Sequence, residues 1–380
     1  SFSTSQQVVN RPYQETSSRV SGSEIISSNS KTSYNGNYGL NASWTIYNGS
    51  KRLKTLKQER LNNQVAELDV ATSENTIKES IAQIYIQILY AAESVRVNEN
   101  TLQVSIAQRD RGQELLNAGS IAKSDFAQLE AQVSTDRYQL VTAQATLQDY
   151  KLQLKQLLEL DGENEMNVYL PKLSDENVLA PLPAKKDVYV SALAIRPEIE
   201  ASKLNVEASE LGIDIAKSSY FPTISLSAGI GTNHTSGSDF TFGEQVKNGW
   251  NNSIGLSVSV PIFNNRQTKS AVQKAKLQRE TDMLSLLDEQ KALYKTIESL
   301  WLDANSAQQR YAAANEKLRS TQISYDLISE QFNLGMKNTV ELLTEKNNLL
   351  QAQQEQLQAK YMAILNTQLL KFYQGDKLTL

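Results

Sequence analysis

One sequence offset limits what this chain can fold into more than any other feature. Tyr38-Gly39-Leu40-Asn41-Ala42-Ser43-Trp44-Thr45-Ile46-Tyr47-Asn48 aligns with Ile254-Gly255-Leu256-Ser257-Val258-Ser259-Val260-Pro261-Ile262-Phe263-Asn264, 216 positions later, and Gly119 and Gly335 are separated by the same 216. An offset that holds over about eighty residues leaves no room for insertions, as expected where a supercoil fixes the phase. The chain reads as a duplicated unit of strand hairpin, long helix and returning helix.

Glycine marks the borders of these pieces. Of the 16 glycines, Gly22, Gly36, Gly39 and Gly49 form one island, and Gly229, Gly231, Gly237, Gly243, Gly249 and Gly255 form another. Residues 50–111 and 262–334 contain neither Gly nor Pro. At 1.5 Å per residue each predicts a helix of roughly 90 to 110 Å, longer than an ordinary globular helix. Shorter breaker-free stretches, 120–161 and 336–374, follow the two tip glycines, and a further helical segment is predicted from Ala184 to Ser219 with Pro197 near its start. The expected organisation is a first β-hairpin over 1–47, a helical hairpin over 48–161 with its tip at Gly119, and a linker over 162–183. A helix over 184–219, a second β-hairpin over 220–263, a second helical hairpin over 264–372 with its tip at Gly335, and a tail over 373–380 complete it.

Inside the islands the period is 2. Tyr38, Leu40, Ala42, Trp44 and Ile46 alternate with Gly39, Asn41, Ser43 and Thr45; Ile224, Leu226, Ala228 and Ile230 alternate with Ser225, Ser227, Gly229 and Gly231. Ile254, Leu256, Val258, Val260 and Ile262 alternate with Gly255, Ser257, Ser259 and Pro261. One face is apolar and the other small, polar and free of charge, whereas a soluble antiparallel sheet normally charges its wet face. This favours a lipid-facing wall around a wet lumen, with Leu40, Trp44, Ile46, Leu256, Val258, Val260 and Ile262 on the lipid side. Trp250 and Phe263 bracket one strand, with Tyr220, Phe221 and Tyr47 near the helix junctions, as interfacial aromatic girdles do.

In the helical stretches the period becomes 3.5. Leu293, Ile297, Leu300, Ala304, Ala307, Tyr311, Ala314, Leu318, Thr321, Tyr325, Ile328 and Phe332 step by 4 and 3 without a break; the first copy shows Ile77, Ile81, Ile84, Ile88, Ala91, Val95, a polar Asn98 and Leu102. This is a left-handed coiled-coil seam. A plain helical bundle core explains the stripe equally well, but not its flanking by lipid-compatible hairpins. Two hairpins supply four strands, too few to close a membrane barrel, so the chain is expected to oligomerise. Two chains would give a barrel filled by its own side chains, and three would give about twelve strands and begin to leave a channel.

Composition removes other classes. A net charge of −4 among 380 residues calls for no nucleic acid, and the absence of Cys removes disulfides, thiolate metal sites, a thiol nucleophile and a lipid-modified N-terminal Cys in the chain as given. The single His234 lies in a Gly/Ser/Thr-rich run from Gly231 to Ser238, where a loop residue is expected rather than a base or ligand. No stretch approaches the ~18 apolar residues of a helical membrane span, so an inner-membrane span is not expected. No basic-then-apolar leader precedes Ser1, as expected of a mature exported product or of a chain that never carried a signal.

The order of strand, long helix, Gly119 turn, helix, linker, Arg196-Pro197-Glu198-Ile199, helix, Tyr220-Phe221-Pro222-Thr223-Ile224-Ser225-Leu226-Ser227-Ala228-Gly229, Gly255 to Asn265, long helix, Gly335 turn and final helix resembles the TolC family of outer-membrane efflux proteins. The likeness covers essentially the whole chain, and the second strand pair with Pro222 and Pro261 is its most specific part. It implies a mainly α protein with a membrane β part: a homotrimer whose twelve-strand β-barrel, in the outer-membrane lipid of a Gram-negative bacterium, continues into a twelve-helix coiled-coil tunnel through the periplasm. It implies a passive exit duct of a tripartite efflux or type I secretion system, docked to a periplasmic adaptor (a membrane fusion protein) and an inner-membrane transporter, without cofactor or catalytic chemistry. The family places a helical segment before the first strand, where this chain opens in strand-like sequence at Ser1-Phe2-Ser3; a protomer without it is expected to lack a helical half on one side of the tunnel wall.

The turns at Gly119 and Gly335 are expected to form the periplasmic tips and the adaptor-docking surface, with Ala118, Ser120, Ile121, Leu334 and Met336 exposed. In the family the positions matching Ser124, Asp125, Phe332, Lys337, Glu341 and Thr344 form an inter-helix latch and an acidic ring that narrow the periplasmic mouth. The match is partial: Phe332 stands where a hydrogen-bonding Tyr is usual and Thr344 where a second acid is usual, so a weaker latch is expected. Asp125 is expected to pair with Lys337, and three Glu341 carboxylates converging on an axis are expected to raise the apparent pKa of the ring. The main alternative is a structural coiled-coil surface or filament protein, which has no reason for uncharged alternating strands. An adaptor would lack the duplication, and an enzyme would need a phosphate loop or nucleophile context that is not found here.

Overall fold

The duplication is visible at the strand-to-helix junctions. A computed structural model describes residues 2–11, 17–21, 24–28, 32–160, 166–171, 178–236 and 238–378, with side chains described outside 12–31. Gly22, Gly162, Gly237 and residues 162–165 and 172–177 of the linker expected over 162–183 thus lie outside the described residues. The strands are β1 (Phe2–Asn10), β2 (Ser17–Ser21), β3 (Glu24–Ser28), β4 (Thr32–Asn48), β5 (Thr223–Thr235) and β6 (Asn251–Ser259). The helices are α1 (Lys51–Asn117), α2 (Lys123–Leu157), α3 (Lys185–Ile195), α4 (Pro197–Lys217), α5 (Phe242–Asn248), α6 (Gln267–Asn333) and α7 (Thr339–Gln374). Both long helices, α1 and α6, have 67 residues and begin 216 apart, as do α2 and α7.

Each long helix starts from two successive left-handed residues, Gly49 and Ser50 (φ 64° and 63°) in the first copy and Asn265 and Arg266 (φ 50° and 62°) in the second. That conformation is sterically costly outside glycine and asparagine. Glycine is required at 49 on a second ground, since a Cβ there would lie 2.6 Å from the Ser218 carbonyl oxygen. Asn48 Oδ1 then accepts the Arg52 amide at 3.3 Å, while the equivalent Asn264 bonds the Thr268 hydroxyl.

The contacts divide the chain into two units, Ser1–Asn63 with Asn205–Met283, and Gln64–Leu204 with Leu284–Leu380. The first holds an antiparallel sheet in the order β1-β4-β5-β6, and β2 pairs with β3 in a separate ribbon. Rows run across the main sheet: Trp44, Leu226 and Leu256 share one, and Ala42, Ala228 and Ile254 the next. A bulge between Thr45 and Tyr47 leaves Ile46 without a ladder partner, so Tyr47, not Ile46, meets Ile224 and Val258. Strict alternation through Ile46 is thereby corrected. Val260 and Ile262 also fall outside the ladder, because β6 ends at Ser259 opposite Thr223, where Pro222 precedes β5 and Pro261 follows β6 without an amide proton. His234 is a strand residue paired with Gly36, not a loop residue; the length of β4 extends the ladder through the glycine-rich run.

In the second unit the seam is the buried face of α6: Leu293, Ile297, Ala304, Ala307, Tyr311, Ala314 and Phe332 are buried. Leu293, Ile297 and Ala304 pack with Leu370 and Tyr373 of α7 and Val188 and Ala192 of α3 in one cluster, and Ala307 and Tyr311 with Ile86 and Leu89 of α1 in another. On α1, Ile88, Ala91 and Asn98 are buried, but Ile77 is exposed. The helix continues through Gly112 to Asn117, next to the expected tip at Gly119, and a Cβ at 112 would collide with Leu129 of α2. Pro197 splits the segment expected as one helix over 184–219. Arg196 is extended (φ −74°, ψ 124°), as the residue before a proline prefers.

Candidate functional site

Both helical tips close in the same way. At the first, Gly119 (φ 76°) lets the Ser120 amide reach the Leu115 carbonyl at 2.8 Å; at the second, Gly335 (φ 78°) lets the Met336 amide reach the Gln331 carbonyl at 2.9 Å. These are Schellman-type closures that satisfy the last carbonyls of α1 and α6. A Cβ at either glycine would meet nothing within 4 Å, so the left-handed backbone, not crowding, calls for glycine there. Ala118, Ser120, Leu334 and Met336 are exposed and Ile121 is half-buried. The tips differ where the returning helices begin. Asn338 Oδ1 accepts the Glu341 amide at 2.9 Å and Glu341 Oε2 accepts the Asn338 amide at 3.2 Å, a complete reciprocal cap. At α2 the cap residue is Ala122, which has no side-chain acceptor, and only Asp125 Oδ2 reaching back to the Ala122 amide at 3.3 Å remains.

The expected gate residues divide accordingly. Lys337 Nζ lies 2.5 Å from Glu341 Oε1, whereas Asp125 is held at the start of its own helix, so within one chain the expected Asp125–Lys337 pair gives way to Lys337–Glu341. The hydrogen bond from Lys337, reinforced by the Asn338 amide, holds the Glu341 carboxyl below the usual carboxylate range within one chain. Thr344 returns its hydroxyl to the Val340 carbonyl at 2.7 Å, and Ser124 is exposed. Phe332 is buried against Leu129 and Leu342, with Leu115, Tyr325 and Leu343 around them, which makes it the core of the tip. Arg111 binds Glu114 at 2.6 Å and the Asn333 carbonyl at 3.3 Å, joining the ends of α1 and α6.

Two charged centres lie outside the expected site residues. Lys346 of α7 contacts Asp136 of α2 and Ser105 of α1; Ser105 also donates to Asp136, and Gln132 donates to its other oxygen at 2.9 Å. All three members are buried. Burial holds the Lys346 ammonium below the usual lysine value against the opposing pull of Asp136. The available signal was positional: Asp136 continues the seam spacing of Leu129 and Val133, and Lys346 that of Leu342 and Leu349. The other centre is Arg196, whose guanidinium lies 2.8 Å from Glu79, 3.2 Å from Glu198 and 3.7 Å from the Tyr373 ring centroid. Arg196 thereby fastens the α3–α4 break to α1 and the end of α7.

Among the described residues the sheet of the first unit carries no buried apolar layer on either face. Trp44, Ile254, Leu256 and Val258 are 60%, 84%, 66% and 60% exposed, and Leu40 and Ile46 are exposed with them. Its opposite face is lined by small groups: Ser227, Ser253 and Ser257 donate to carbonyls of neighbouring strands, and Asn41 and Ser253 close over Gly229.

Comparison with known families settles the relationship. The sequence matches the family described as Outer membrane efflux protein over residues 10–159 and 188–375, most of the chain and both copies of the repeat. The chain belongs to the outer membrane efflux protein family. Among curated members it is 26% identical over 294 residues to the outer membrane efflux protein BepC of Brucella suis, covering 77% of this chain and 61% of that one. It is 24% identical over 341 residues to the outer membrane protein TolC of Escherichia coli, covering 86% and 66%. The chain thus spans about two thirds of the length of these relatives. The fold is that of the solved channel CusC (TM-score 0.78, 19% identity, 99% of this chain and 83% of that one) and of VceC from Vibrio cholerae (TM-score 0.74, 16% identity, 100% and 88%). As an outer membrane efflux protein the chain falls in a family of outer-membrane channels and not of enzymes, and the family match includes both tips, the Lys346–Asp136–Ser105 centre and Arg196.

Proposed function

We propose that the chain is one protomer of a homotrimeric exit duct in the outer membrane of a Gram-negative bacterium, part of a tripartite efflux or type I secretion system. The observation that carries this reading is the sheet with an uncharged, largely exposed apolar face and β1 and β6 at its two ends. Four strands with two free edges and no core are unstable in water and in lipid alike, because edge amides need partners and apolar rows need an apolar phase. Three copies, pairing β6 of one with β1 of the next, supply about twelve strands and leave a lumen lined by serine, glycine and asparagine.

In this reading the helical hairpins form a periplasmic tunnel, and the Gly119 and Gly335 turns, with Ser120, Ile121 and Met336, dock a periplasmic adaptor fed by an inner-membrane transporter. The mouth lies at the tips, where Lys337, Glu341, Ser124, Asp125, Thr344 and the Phe332 cluster hold the helix ends. An exposed ion pair contributes only about 0 to 1 kcal/mol, but three symmetry copies acting on one closed state add. Conductance in planar bilayers tests the assignment. Lys337→Glu is expected to raise conductance by loosening the closed mouth, and Glu341→Gln to lower cation selectivity. Parent-like conductance and selectivity in both variants would put the gate elsewhere.

A further inference from the structure

The hairpin joining β5 and β6 does not end in an open loop. β6 begins at Asn251 opposite Gly231, so β5 overhangs it by Thr232–Thr235. The short helix α5, started by Thr241 and its reciprocal bond with Glu244, lies along that overhang. Gln245 Oε1 accepts the Thr235 amide at 2.9 Å, and Thr232 donates to the Val246 carbonyl at 2.7 Å. Phe242 meets the His234 ring edge-on at 5.1 Å, and His234 stacks on Tyr38 at 6.0 Å over Gly36, where a Cβ would collide with the imidazole. His234 and Thr232 share the side of the sheet that carries Ile224, Leu226 and Ile230, so α5 leans toward the apolar side. Phe242 and Trp250 are still 57% and 56% exposed, with Phe240 and Tyr34 exposed beside them, while Glu244, Lys247 and Asn248 make the other side of the helix polar.

The strand geometry fixes the level of this cluster. From the Tyr47–Ile224 row to the Gly36–His234 row β5 advances ten residues. That is about 34 Å along a strand and about 26 Å of height at a tilt of ~40°, against ~25 Å for the apolar band of an outer-membrane barrel. One aromatic end at Tyr47 therefore places the other interface at His234 and Phe242.

We propose that α5 is an interfacial anchor, whose Phe242, with Phe240 and Trp250, inserts at the boundary between acyl chains and headgroups of the outer leaflet instead of standing in water. The inference rests on the barrel reading above and adds the lipid contact that sets the depth of the barrel. The test uses tryptophan quenching by phospholipids brominated at shallow or deep acyl positions, in proteoliposomes of the full chain. Three single-tryptophan proteins are compared: one retaining Trp44, one retaining Trp301 of the helical unit, and one with Phe242→Trp. The expected result is quenching at 44 and at 242, strongest at 242 with shallow bromines, and none at 301. Quenching at 44 but not at 242 would overturn the anchor and leave the barrel standing, and deep quenching at 242 would overturn the interfacial placement. No quenching at 44 would overturn the barrel reading itself. If Phe242→Trp does not assemble, the protein retaining only native Trp250 carries the same outcomes.

Discussion

A lysine in a coiled-coil seam is costly unless its charge is met, and Lys346 is met by Asp136 and Ser105 from two other helices. Removing one partner leaves an uncompensated buried charge. Asp136→Ala is therefore expected to destabilise the helical unit by about 3 to 5 kcal/mol, while Asp136→Leu combined with Lys346→Met is expected to be near neutral or stabilising. Denaturant unfolding of the three proteins decides it, and equal losses in the single and double variants would contradict the pairing. The pH dependence has a definite sign. A lysine whose folded pKa is depressed takes up a proton on unfolding, so stability rises with pH from its folded value up to the unfolded value of about 10.4. That alkaline rise is expected in the parent and absent from the double variant. The sequence carried only the seam spacing of Asp136 and Lys346; their pairing was not legible, because with Ser105 they lie 31 to 241 positions apart and only packing brings them together.

At the scale of elements the duplication was the readable part. Gly119 and Gly335, the two 67-residue helices and the paired left-handed junctions follow from one offset, because a supercoil tolerates no insertion and helix ends require particular backbone angles. Where the two copies diverge, the offset gave no guidance. The cap of α7 is complete and that of α2 is not, so Asn338→Ala is expected to lower stability by about 1 kcal/mol and Ala122→Asn to raise it by a similar amount. Amide hydrogen exchange at the first turn of each helix checks both, and opposite signs would refute the caps. The contribution of Glu341 carries its own pH window. Its carboxyl is held below the usual range, so that contribution is present above about pH 4.3 and is lost as the pH falls through the lowered folded value. Breaks were harder to foresee than repeats: Pro197 splits a helix because Arg196 must be extended before it, while Gly112 lies within one, where Leu129 of α2 packs against its bare backbone.

For the whole molecule the period-2 pattern identified the apolar face but not its limits. The bulge at Ile46 and the end of β6 before Val260 depend on pairing across strands, which alternation within one strand cannot show. Val258 stays in the ladder, exposed beside Ile224, and Arg in its place is expected to cost roughly 2 to 4 kcal/mol of insertion free energy if it lies near the bilayer midplane. Unimpaired insertion of Val258→Arg, together with loss of assembly in Ser257→Leu, would invert the facing. The central claim is that this sheet is a third of a barrel. Native mass spectrometry of protein extracted from membranes in mild detergent tests it most directly: three copies of the chain released together is the predicted result, and a monomer as the sole species would contradict it.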